Sequence, residues 1–598
     1  MTTAARVVFA LLVAATFGAF FVAQRLKHTP TVLQQVKGPL LFSPNGDGRN
    51  DTLPISFEVK STDVISVDVI DKDDSIVRGL LADRFLKAHT PVTVRWNGRD
   101  DAGARMPDGV YRVRVTLRDE GRTVVIRHNY RLDTRPPQPQ VSDVGPAPGA
   151  GPELLPNKTG GARIQVKATG SNPAVTIYRT SGDRPELAVR LPVKDGLAIW
   201  NGKENGRPAE PGTYLAVASG QDRAGNEGYS VPLDDKTQLP VLPYGAKLPG
   251  HGGITVRYLE LQPPAEPVRG NAVVTIGVDA RGKAYTWSLK GLADKKAVRV
   301  GRAQHSPFHV HAPAGRDGLY LFVARSGGRT ATTPIVVSAI PKHKVLVVLP
   351  FMTWQGRNAV DDDGDGAPNV LDRGQDSRIF RVFAGGRMSQ GFREMEGPLL
   401  TYLDANKREY DITTDVALAA GRGPQLAGHR GVILPGDVRW LPRETQLALR
   451  KFVSDGGTLL LNGTDSLRRE VTVGDGAVLT KPTPASATNL FGTKLRAVVE
   501  EPTTVTNLDD KIQLFTGDVF GGTGVLAGFP GYEPTAALGG DEALAANAVT
   551  ESGTSVVVAA RYGKGIEIRT GLLDFATRLK ADANTGQLLL RIWTLLST

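Results

Sequence analysis

The chain has 598 residues, too many for a single hydrophobic core, so we expect several domains. Its 68 glycines and 40 prolines favour short strands joined by turns, and the absence of cysteine excludes disulfides, thiolate metal sites and a cysteine nucleophile. The net charge of +11 comes from basic residues scattered along the chain. This distribution argues against a nucleic-acid partner and favours an anionic cell-wall polymer or another surface protein.

An apolar stretch from Val7 to Ala23 follows Arg6 and carries no charge. Its length falls within the ~17–25 residues of a transmembrane helix. A cleaved signal peptide and an uncleaved anchor both fit this stretch. No A-x-A cleavage site is evident near its end, and the basic residues Arg25 and Lys27 follow it directly, so we favour the anchor. We therefore expect residues 1–30 to be a single-pass anchor in the cell membrane with the rest of the chain outside the cytoplasm; secretion is the alternative.

One pattern then occurs twice: W-N-G, a polar turn, and a Pro-Gly element that ends in tyrosine. It runs from Trp96 to Tyr111 in the first copy and from Trp200 to Tyr214 in the second. The pattern predicts β-meanders whose Trp and Tyr side chains fill the core. It resembles the immunoglobulin-like domain first described in flagellar hook-capping (FlgD-like) proteins. The resemblance implies two such domains, at residues 31–137 and 138–240.

The first copy opens with a polar loop from Phe42 to Asp51. This loop is similar to the F-S/T-P-N-G-D-G-x-N-D signature of surface and gliding-associated domains. Its oxygen donors favour Asx turns, and weak calcium binding by the same loop is the alternative. The candidate ligands are Asn45, Asp47, Asn50 and Asp51.

More short strands separated by turn residues predict a third β-sandwich at residues 241–340. Strands and helices then alternate over residues 341–598. The first of these strands is the buried run from Val345 to Leu349, and apolar spacing predicts a helix from Pro442 to Asp455. We expect an α/β domain here.

The segments VLPFMTWQGRN, GVILPGDVRW and YGKGIEIRTGL of this domain resemble the C-terminal domain of the large (beta) subunit of N,N-dimethylformamidase. The resemblance spans most of residues 344–598 and implies a class I glutamine amidotransferase-like, flavodoxin-like fold. It also implies an iron held by tyrosine and glutamate oxygens. Arg357 replaces the aromatic residue of the family's loop, and arginine stays protonated, so we do not expect iron. Where amidotransferases carry a cysteine, the elbow here is Asn462 to Ser466, without a thiol.

The predicted fold class is therefore a multidomain chain with an N-terminal transmembrane helix, three all-β immunoglobulin-like sandwiches and an α/β flavodoxin-like domain. In open α/β sheets ligands bind beyond the carboxyl ends of the strands. The polar loop that follows the first strand is thus a candidate crevice. Its residues are Thr353, Trp354, Gln355, Arg357 and Asn358.

An acidic loop follows and has the D-x-D-x-D-G spacing of a calcium site. It also looks like the calcium-binding repeats of thrombospondin type 3. Carboxylates this close repel one another unless a cation lies between them, which favours a calcium site. The alternative is a solvated acidic loop without an ion. The candidate calcium ligands are Asp361, Asp363, Asp365, Ala367, Asn369 and Asp372.

Two functions remain open. The first is a binding or scaffolding protein whose amidotransferase-like domain is stabilised by calcium and has lost its catalytic residues. The second is a hydrolase of amide or glycan bonds, without a cysteine nucleophile, whose site lies near residues 353–372. Titratable side chains that converge above the sheet would favour the hydrolase, and a filled crevice would favour the scaffold. The sequence identifies no catalytic residue.

Overall fold

The computed structural model describes residues 3–27, 32–145, 153–154, 161–315, 317–338, 341–515, 525–536 and 543–598. Strands hold 41% of the chain and helices 15%, so the protein is mostly β. The chain divides into two compact units. Unit 1 comprises Met1–Pro139, Ala168–Pro173 and Ser219–Tyr229, and unit 2 comprises Gln140–Lys167, Ala174–Ala218 and Ser230–Thr598. The predicted boundary at residues 30 and 31 lies outside the described residues.

Helix α1 (Thr3–Lys27) contains the segment that the sequence predicts to cross a membrane. Among the described residues, no helix is both long enough and apolar enough for such a crossing. The predicted fold class is therefore wrong in its N-terminal transmembrane helix. The uncharged run from Val7 to Ala23 lies at the short end of the ~17–25 residues that can span a bilayer, below the ~20 that a spanning helix usually has.

Two sheets form a sandwich in unit 1, in the orders β1-β3-β6 and β2-β9-β7-β4-β5, with β8 beside β7. Buried and half-buried residues alternate along β3 and β4, because successive side chains of a strand point to opposite faces. The strands are β1 (Leu33–Lys37), β2 (Leu41–Phe42), β3 (Leu53–Val59), β4 (Asp63–Ile70), β5 (Ile76–Leu86), β6 (Pro91–Trp96), β7 (Gly109–Leu117), β8 (Arg122–Val125) and β9 (Tyr130–Leu132).

The next stretch of chain has sheets in the orders β10-β12-β15 and β11-β20-β18-β13-β14, with β19 beside β18 and a small β16-β17 hairpin. The strands are β10 (Gln140–Gly145), β11 (Glu153–Leu154), β12 (Ala162–Lys167), β13 (Ser171–Arg179), β14 (Glu186–Pro192), β15 (Leu197–Trp200), β16 (Lys203–Glu204), β17 (Arg207–Pro208), β18 (Gly212–Gln221), β19 (Glu227–Tyr229) and β20 (Gly253–Val256).

The two copies of the repeated pattern bury their aromatic residues in the same way. The indole N–H of Trp96 donates to the backbone carbonyl three residues later at 2.8 Å, and the hydroxyl of Tyr111 donates to the carbonyl four residues earlier at 2.8 Å. Trp200 and Tyr214 make the same two hydrogen bonds at 3.0 and 2.8 Å. Each pair therefore fills a core while its polar atoms stay bonded.

A third β-region has sheets in the orders β21-β22-β25 and β24-β23-β26-β27 around its own core. The strands are β21 (Glu260–Gln262), β22 (Val273–Asp279), β23 (Tyr285–Gly291), β24 (Arg299–Ala303), β25 (Phe308–His311), β26 (Gly318–Ser326) and β27 (Arg329–Val337).

The C-terminal region is built on a nine-stranded sheet in the order β30-β28-β31-β33-β43-β42-β41-β38-β39. The first five strands are parallel to their neighbours, and the last four pair antiparallel. All five residues of β28 are buried, as the apolar run predicts.

The strands of this region are β28 (Val345–Leu349), β29 (Ser377–Arg378), β30 (Asp411–Thr414), β31 (Gly431–Leu434), β32 (Trp440–Leu441), β33 (Thr458–Leu461), β34 (Arg469–Glu470), β35 (Thr472–Gly474), β36 (Val478–Thr480), β37 (Lys494–Leu495), β38 (Thr503–Asp510), β39 (Val525–Phe529), β40 (Thr535–Ala536), β41 (Leu544–Thr550), β42 (Ser555–Tyr562) and β43 (Gly565–Arg569). The helices are α2 (Phe351–Gly356), α3 (Gly397–Ala405), α4 (Asp415–Ala419), α5 (Arg443–Ser454), α6 (Phe575–Arg578) and α7 (Ala583–Ser597), with 3-10 turns at Leu371–Arg373 and Ala384–Gly386 and a π turn at Phe392–Glu396.

The edge strand β39 has its outward carbonyl groups covered by side chains. The guanidinium of Arg578 donates to the carbonyl oxygens of Ala527, at 3.0 Å, and of Gly528. The amide of Asn584 donates to the carbonyl of Val525 at 2.9 Å. These bonds satisfy backbone acceptors that a sheet edge otherwise leaves open.

We expect Tyr111→Phe to lower the free energy of unfolding of unit 1 by about 1 kcal/mol, because it removes one buried hydrogen bond and leaves the ring in place. Urea unfolding followed by tryptophan fluorescence measures the change. Val110→Ala is the control, since the Val110 side chain is 47% exposed and should contribute little. Equal effects of the two substitutions would contradict a stabilising role for the hydroxyl.

Candidate functional site

The direction in which successive strands are added to the sheet reverses at β28. The chain passes from β28 to β30 on one side and then to β31 on the other, so residues beyond β28 and β31 flank a topological switch point. These residues meet: the hydroxyl oxygen of Thr353 accepts a hydrogen bond from the backbone N–H of Arg439 at 3.1 Å. A ligand of this sheet is expected in the crevice that they border.

The loop predicted after β28 is a helix, α2. Its first turn is held by Asp415, which is fully buried and accepts from the backbone N–H of Met352 at 3.0 Å. Burial raises the pKa of Asp415 to about 8. Sequence reasoning missed this helix because the carboxyl group that holds its N-terminus lies 63 residues further along the chain.

The structure separates the predicted crevice residues into two groups. Thr353, Trp354, Arg357 and Asn358 line a cavity of about 350 Å³ at the switch point. Gln355 is fully buried and does not line it; the Gln355 side-chain oxygen instead accepts from the amide of Asn358 at 2.9 Å.

Glu396 is the least expected residue in the lining of this cavity. Only 1% of the residue is exposed, and its Oε1 accepts from the indole N–H of Trp354 at 3.0 Å. Among the described residues its Oε2 has no hydrogen-bond partner. Burial raises the pKa of Glu396 to about 7, so a substantial fraction carries a proton at neutral pH.

Asp437 lines the same cavity but sits in a different electrostatic environment. Its Oδ1 accepts from the backbone N–H of Thr464 at 2.8 Å, and the guanidinium of Arg439 lies 3.4 Å from its Oδ2. Burial raises the pKa of Asp437, while the positive charges of Arg439 and Arg357 oppose the rise. No cationic side chain opposes the rise in the pKa of Glu396 in this way.

Sequence reasoning did not single out Glu396. The sequence offers one hint: Glu396 directly precedes the apolar helical stretch that begins at Gly397. A carboxyl group beside an apolar stretch can be buried with it. The residue ends a π turn, Phe392–Glu396, a backbone feature often found at functional sites.

The acidic loop brings three of its predicted ligands together. Carboxylate oxygens of Asp361, Asp363 and Asp365 lie within 4.8 Å of one another. Asp361 accepts from the backbone N–H groups of Gly364 and Gly366 at 2.7 and 2.9 Å, and burial raises the pKa of Asp361 to about 7. The oxygen-only donor set fits a hard cation such as calcium.

Of the other predicted ligands, Asp372 lies elsewhere and the side-chain oxygen of Asn369 is already bonded. Asp372 pairs with Arg357 at 3.2 Å and with Arg439 at 3.5 Å, and it is not part of the carboxylate cluster. The side-chain oxygen of Asn369 accepts from the backbone N–H of Asp362 at 2.6 Å. Ala367, whose carbonyl oxygen is the predicted ligand atom, donates its backbone N–H to Asp365 at 2.7 Å, so its carbonyl prediction stays untested.

The acidic loop also packs against earlier parts of unit 2. The ammonium group of Lys247 lies 2.8 Å from Asp363, and the backbone N–H of Leu248 donates to Asp365 at 2.8 Å. The hydroxyl of Thr180 donates to the carbonyl oxygen of Gly366 at 2.7 Å. The loop therefore joins the nine-stranded domain to the residue that follows strand β13 and to the segment before β20.

Arg381 fixes the path of the chain between α2 and the acidic loop. The residue is 5% exposed, and its guanidinium donates to the backbone carbonyls of Gln355, Asn358 and Asn369. It also pairs with the carboxylate of Asp362 at 2.8 Å. The buried guanidinium of Arg381 therefore holds both the chain segment that lines the cavity and the acidic loop in place.

In unit 1, the loop that is the weaker calcium candidate directs its carboxylates to its own backbone. Asp51 accepts from the N–H groups of Gly46 and Gly48 at 2.6 and 2.8 Å. Asp47 accepts from the N–H of Arg49 at 2.7 Å and from the amide of Asn45 at 3.0 Å. The remaining candidate ligand uses its amide as a donor: Asn50 bonds the carbonyl of Ala224 at 3.0 Å.

The elbow after β33, where amidotransferases carry a cysteine, is occupied by bonded polar residues. The amide of Asn462 donates to the carbonyl of Pro435 at 2.8 Å, and its oxygen accepts from the hydroxyl of Thr570 at 3.0 Å. Ser466 is fully buried and accepts from the backbone N–H of Val438 at 3.2 Å. These side chains tie neighbouring strand ends together.

No protein-family model and no curated protein matches the chain. Among solved structures, a catalytic mutant of a GH42 β-galactosidase from G. stearothermophilus is 15% identical, with 41% of this chain and 30% of that chain covered and a TM-score of 0.23. The tetra-tandem repeat in the extending region of a large adhesion protein is 16% identical, with coverages of 50% and 73% and a TM-score of 0.16. The N-terminal four Ig domains of Dscam1 isoform 4.4 are 14% identical, with coverages of 52% and 73% and a TM-score of 0.14. The chain spans less than a third of the length of the β-galactosidase.

We expect Glu396→Gln to stabilise the protein relative to wild type as the pH rises from 5 to 8. The wild-type carboxyl has a pKa near 4.5 when unfolded and about 7 when folded, so its contribution to stability is full below pH 4.5 and is lost as the pH rises through 7. The variant has no such loss. The free energy of unfolding of Glu396→Gln minus that of the wild type should therefore increase by about 2–3 kcal/mol between pH 5 and pH 8. Urea unfolding at several pH values measures it.

Glu394→Gln is the control, because Glu394 is exposed on the same turn. Parallel pH profiles for wild type and Glu396→Gln would contradict the burial of an ionisable carboxyl at this position.

Proposed function

We propose that the chain is an extracytoplasmic binding or scaffolding protein in which a calcium ion stabilises the joint between an amidotransferase-like domain and the β-region before it. The observation that carries the proposal is the acidic loop, whose three clustered carboxylates belong to the segment that contacts Lys247, Leu248 and Thr180. The bonded side chains at the elbow support the loss of the amidotransferase nucleophile. The chain carries a net charge of +11, so we propose an anionic cell-wall polymer or another surface protein as its partner.

The residues of the loop fit a calcium ion better than a magnesium ion. Calcium accepts six to eight oxygen ligands in irregular geometry, whereas magnesium requires a tight octahedron and keeps its waters. Asp361, Asp363 and Asp365 would hold the ion, with backbone oxygens and water completing the shell. Lys247 supplies one positive charge to this cluster, which leaves it negative when all three carboxyl groups are ionised.

Calcium should raise the melting temperature of the full chain, because an ion that binds only the folded loop adds ~2.7 kcal/mol at 100 times its dissociation constant. Asp363→Asn should abolish most of this gain. Differential scanning calorimetry with chelator, with magnesium and with calcium measures the effect.

Asp376→Asn is the matched control, since Asp376 is exposed just beyond the loop and lies outside the carboxylate cluster. Identical melting in chelator and in calcium would refute the calcium-stabilised joint.

Lys247→Met should tighten calcium binding roughly tenfold, or by ~1.4 kcal/mol, because it removes the ammonium group that competes for Asp363. Isothermal titration calorimetry compares the two dissociation constants. Lys236→Met, at an exposed position of the preceding segment, controls for the general loss of one positive charge. Weaker calcium binding by Lys247→Met would contradict a shared site.

A second function is favoured by a separate observation. Glu396, Asp437 and Arg357 line the switch-point cavity, and Arg439 lies 3.4 Å from Asp437. These titratable and charged side chains support the hydrolysis of amide or glycan bonds rather than a filled crevice.

A further inference from the structure

We infer that the outer face of the β24-β23-β26-β27 sheet is the surface on which the chain binds an acidic polysaccharide, a linear polymer of sugars that carry carboxylate groups. The side chains that define this outer face are Thr286, Lys290, Arg302, Arg325 and Thr330. The inference rests on the proposed function, because it selects the polymer from the two proposed partners and gives it a site. It does not depend on calcium at the acidic loop.

The hydrogen-bond register places one row of exposed side chains straight across this sheet. Arg302 of β24 lies opposite Thr286 of β23. The same Thr286 lies opposite Arg325 of β26, which in turn lies opposite Thr330 of β27. All four residues are exposed, and directly opposite residues of antiparallel strands project from the same face. The row therefore alternates a guanidinium with a hydroxyl from the edge strand β24 to the far strand β27.

The outer face carries positive charge without negative charge from its own strands. The core lies on the other face, where Leu289 and Phe322 are fully buried. Because side chains alternate along a strand, Lys290 belongs to the same face as Thr286 and adds a third cation to the two arginines. The sequences of the four strands contain no aspartate and no glutamate.

A comparable arginine in unit 1 is neutralised by the strand beside it. Arg114 lies opposite Asp68 in the register of β7 and β4, and the two side chains pair at 3.3 Å. On the outer face, threonines occupy the places opposite Arg302 and Arg325. Within the described residues neither arginine has an ion-pair partner. Their charge is therefore open to an anion from outside the chain.

The alternation of charge and hydroxyl selects the class of polymer. Neighbouring strands lie ~4.8 Å apart, so the backbones at Arg302 and Arg325, two strands apart, are separated by ~10 Å. A guanidinium binds a carboxylate through two parallel N–H···O bonds, and the hydroxyl of Thr286 between them can bond a sugar hydroxyl. A chain of acidic sugars offers carboxylates and hydroxyls in alternation, whereas polyphosphate offers anionic groups alone.

Lipid and nucleic acid fit the outer face less well. Proteins that lie on a membrane bury aromatic and long aliphatic side chains in it, and single-stranded nucleic acid stacks on aromatic side chains. The large apolar side chains exposed at the described part of this sheet are two valines at its edge, Val298 and Val300. The aromatic residues of the four strands are buried or half-buried: Tyr285, Trp287, Tyr320 and Phe322.

Isothermal titration calorimetry of the full chain with polygalacturonate tests the inference. The wild-type protein should bind, and binding should weaken as the ionic strength rises, because exposed charges are screened by salt. The double variant Arg302→Gln/Arg325→Gln should bind about tenfold more weakly, since it removes two exposed ion pairs. Thr286→Val should weaken binding about threefold, because it removes the hydroxyl and keeps the shape of the side chain.

The matched control is Arg84→Gln/Arg122→Gln, which removes two exposed strand arginines from unit 1 and should bind as the wild type does. Thermal melting verifies that each variant is folded. Absence of binding by the wild type, or equal weakening in the two double variants, would overturn the inference.

The same titration with polyphosphate, with duplex DNA and with phosphatidylglycerol vesicles checks the class of ligand. Each of them should bind more weakly than polygalacturonate, and tighter binding of any one would overturn the assignment to an acidic polysaccharide. Calcium-dependent melting is measured separately, so failure of the calcium joint and failure of the outer face give different results.

Discussion

The C-terminal domain depends on one buried guanidinium. Arg381 is almost completely removed from water, and its donors must therefore be satisfied by the protein. It meets this requirement with backbone carbonyls of Gln355, Asn358 and Asn369 and with the carboxylate of Asp362. Because these partners span the chain from α2 to the end of the acidic loop, the same side chain sets the position of a cavity wall and of a carboxylate cluster. Burial lowers the pKa of Arg381, and the charge of Asp362 opposes that change.

The domain handles its buried carboxyl groups in two different ways. In the acidic loop, Asp361 and Asp365 are surrounded by backbone N–H donors, and Lys247 supplies positive charge. In the cavity, Glu396 keeps one oxygen without a partner among the described residues. An unsatisfied buried polar atom costs free energy until a water molecule or a ligand bonds to it. The proposed calcium joint uses the first arrangement, and the proposed hydrolytic function would use the second.

The sequence predicted the features that depend on nearby residues. Apolar runs located β28, and the helix expected from Pro442 to Asp455 is α5, which begins one residue after its proline. The D-x-D-x-D spacing brought Asp361, Asp363 and Asp365 together, because a tight loop fixes its own geometry. Asp372 departed from that pattern because Arg357 and Arg439 offer it two positive charges in another direction.

Features that depend on distant residues were not predictable in this way. Helix α2 is held by Asp415, and the environment of Glu396 is created by Trp354 and by the strand ends around it. Neither partner is indicated by local spacing. The predicted transmembrane helix rested on a run at the short end of the spanning range, and none of the helices among the described residues is long and apolar enough to cross a membrane.

The covered edge of β39 has a consequence for how copies of this chain behave when they are crowded together. A sheet with free carbonyl groups along its last strand can receive a strand from a neighbour and extend from molecule to molecule. Here Arg578 and Asn584 occupy the acceptors of Val525, Ala527 and Gly528, and the guanidinium adds charge to the same margin. Such an edge opposes fibrous self-association at high local concentration, and contacts between copies would have to form through side chains instead.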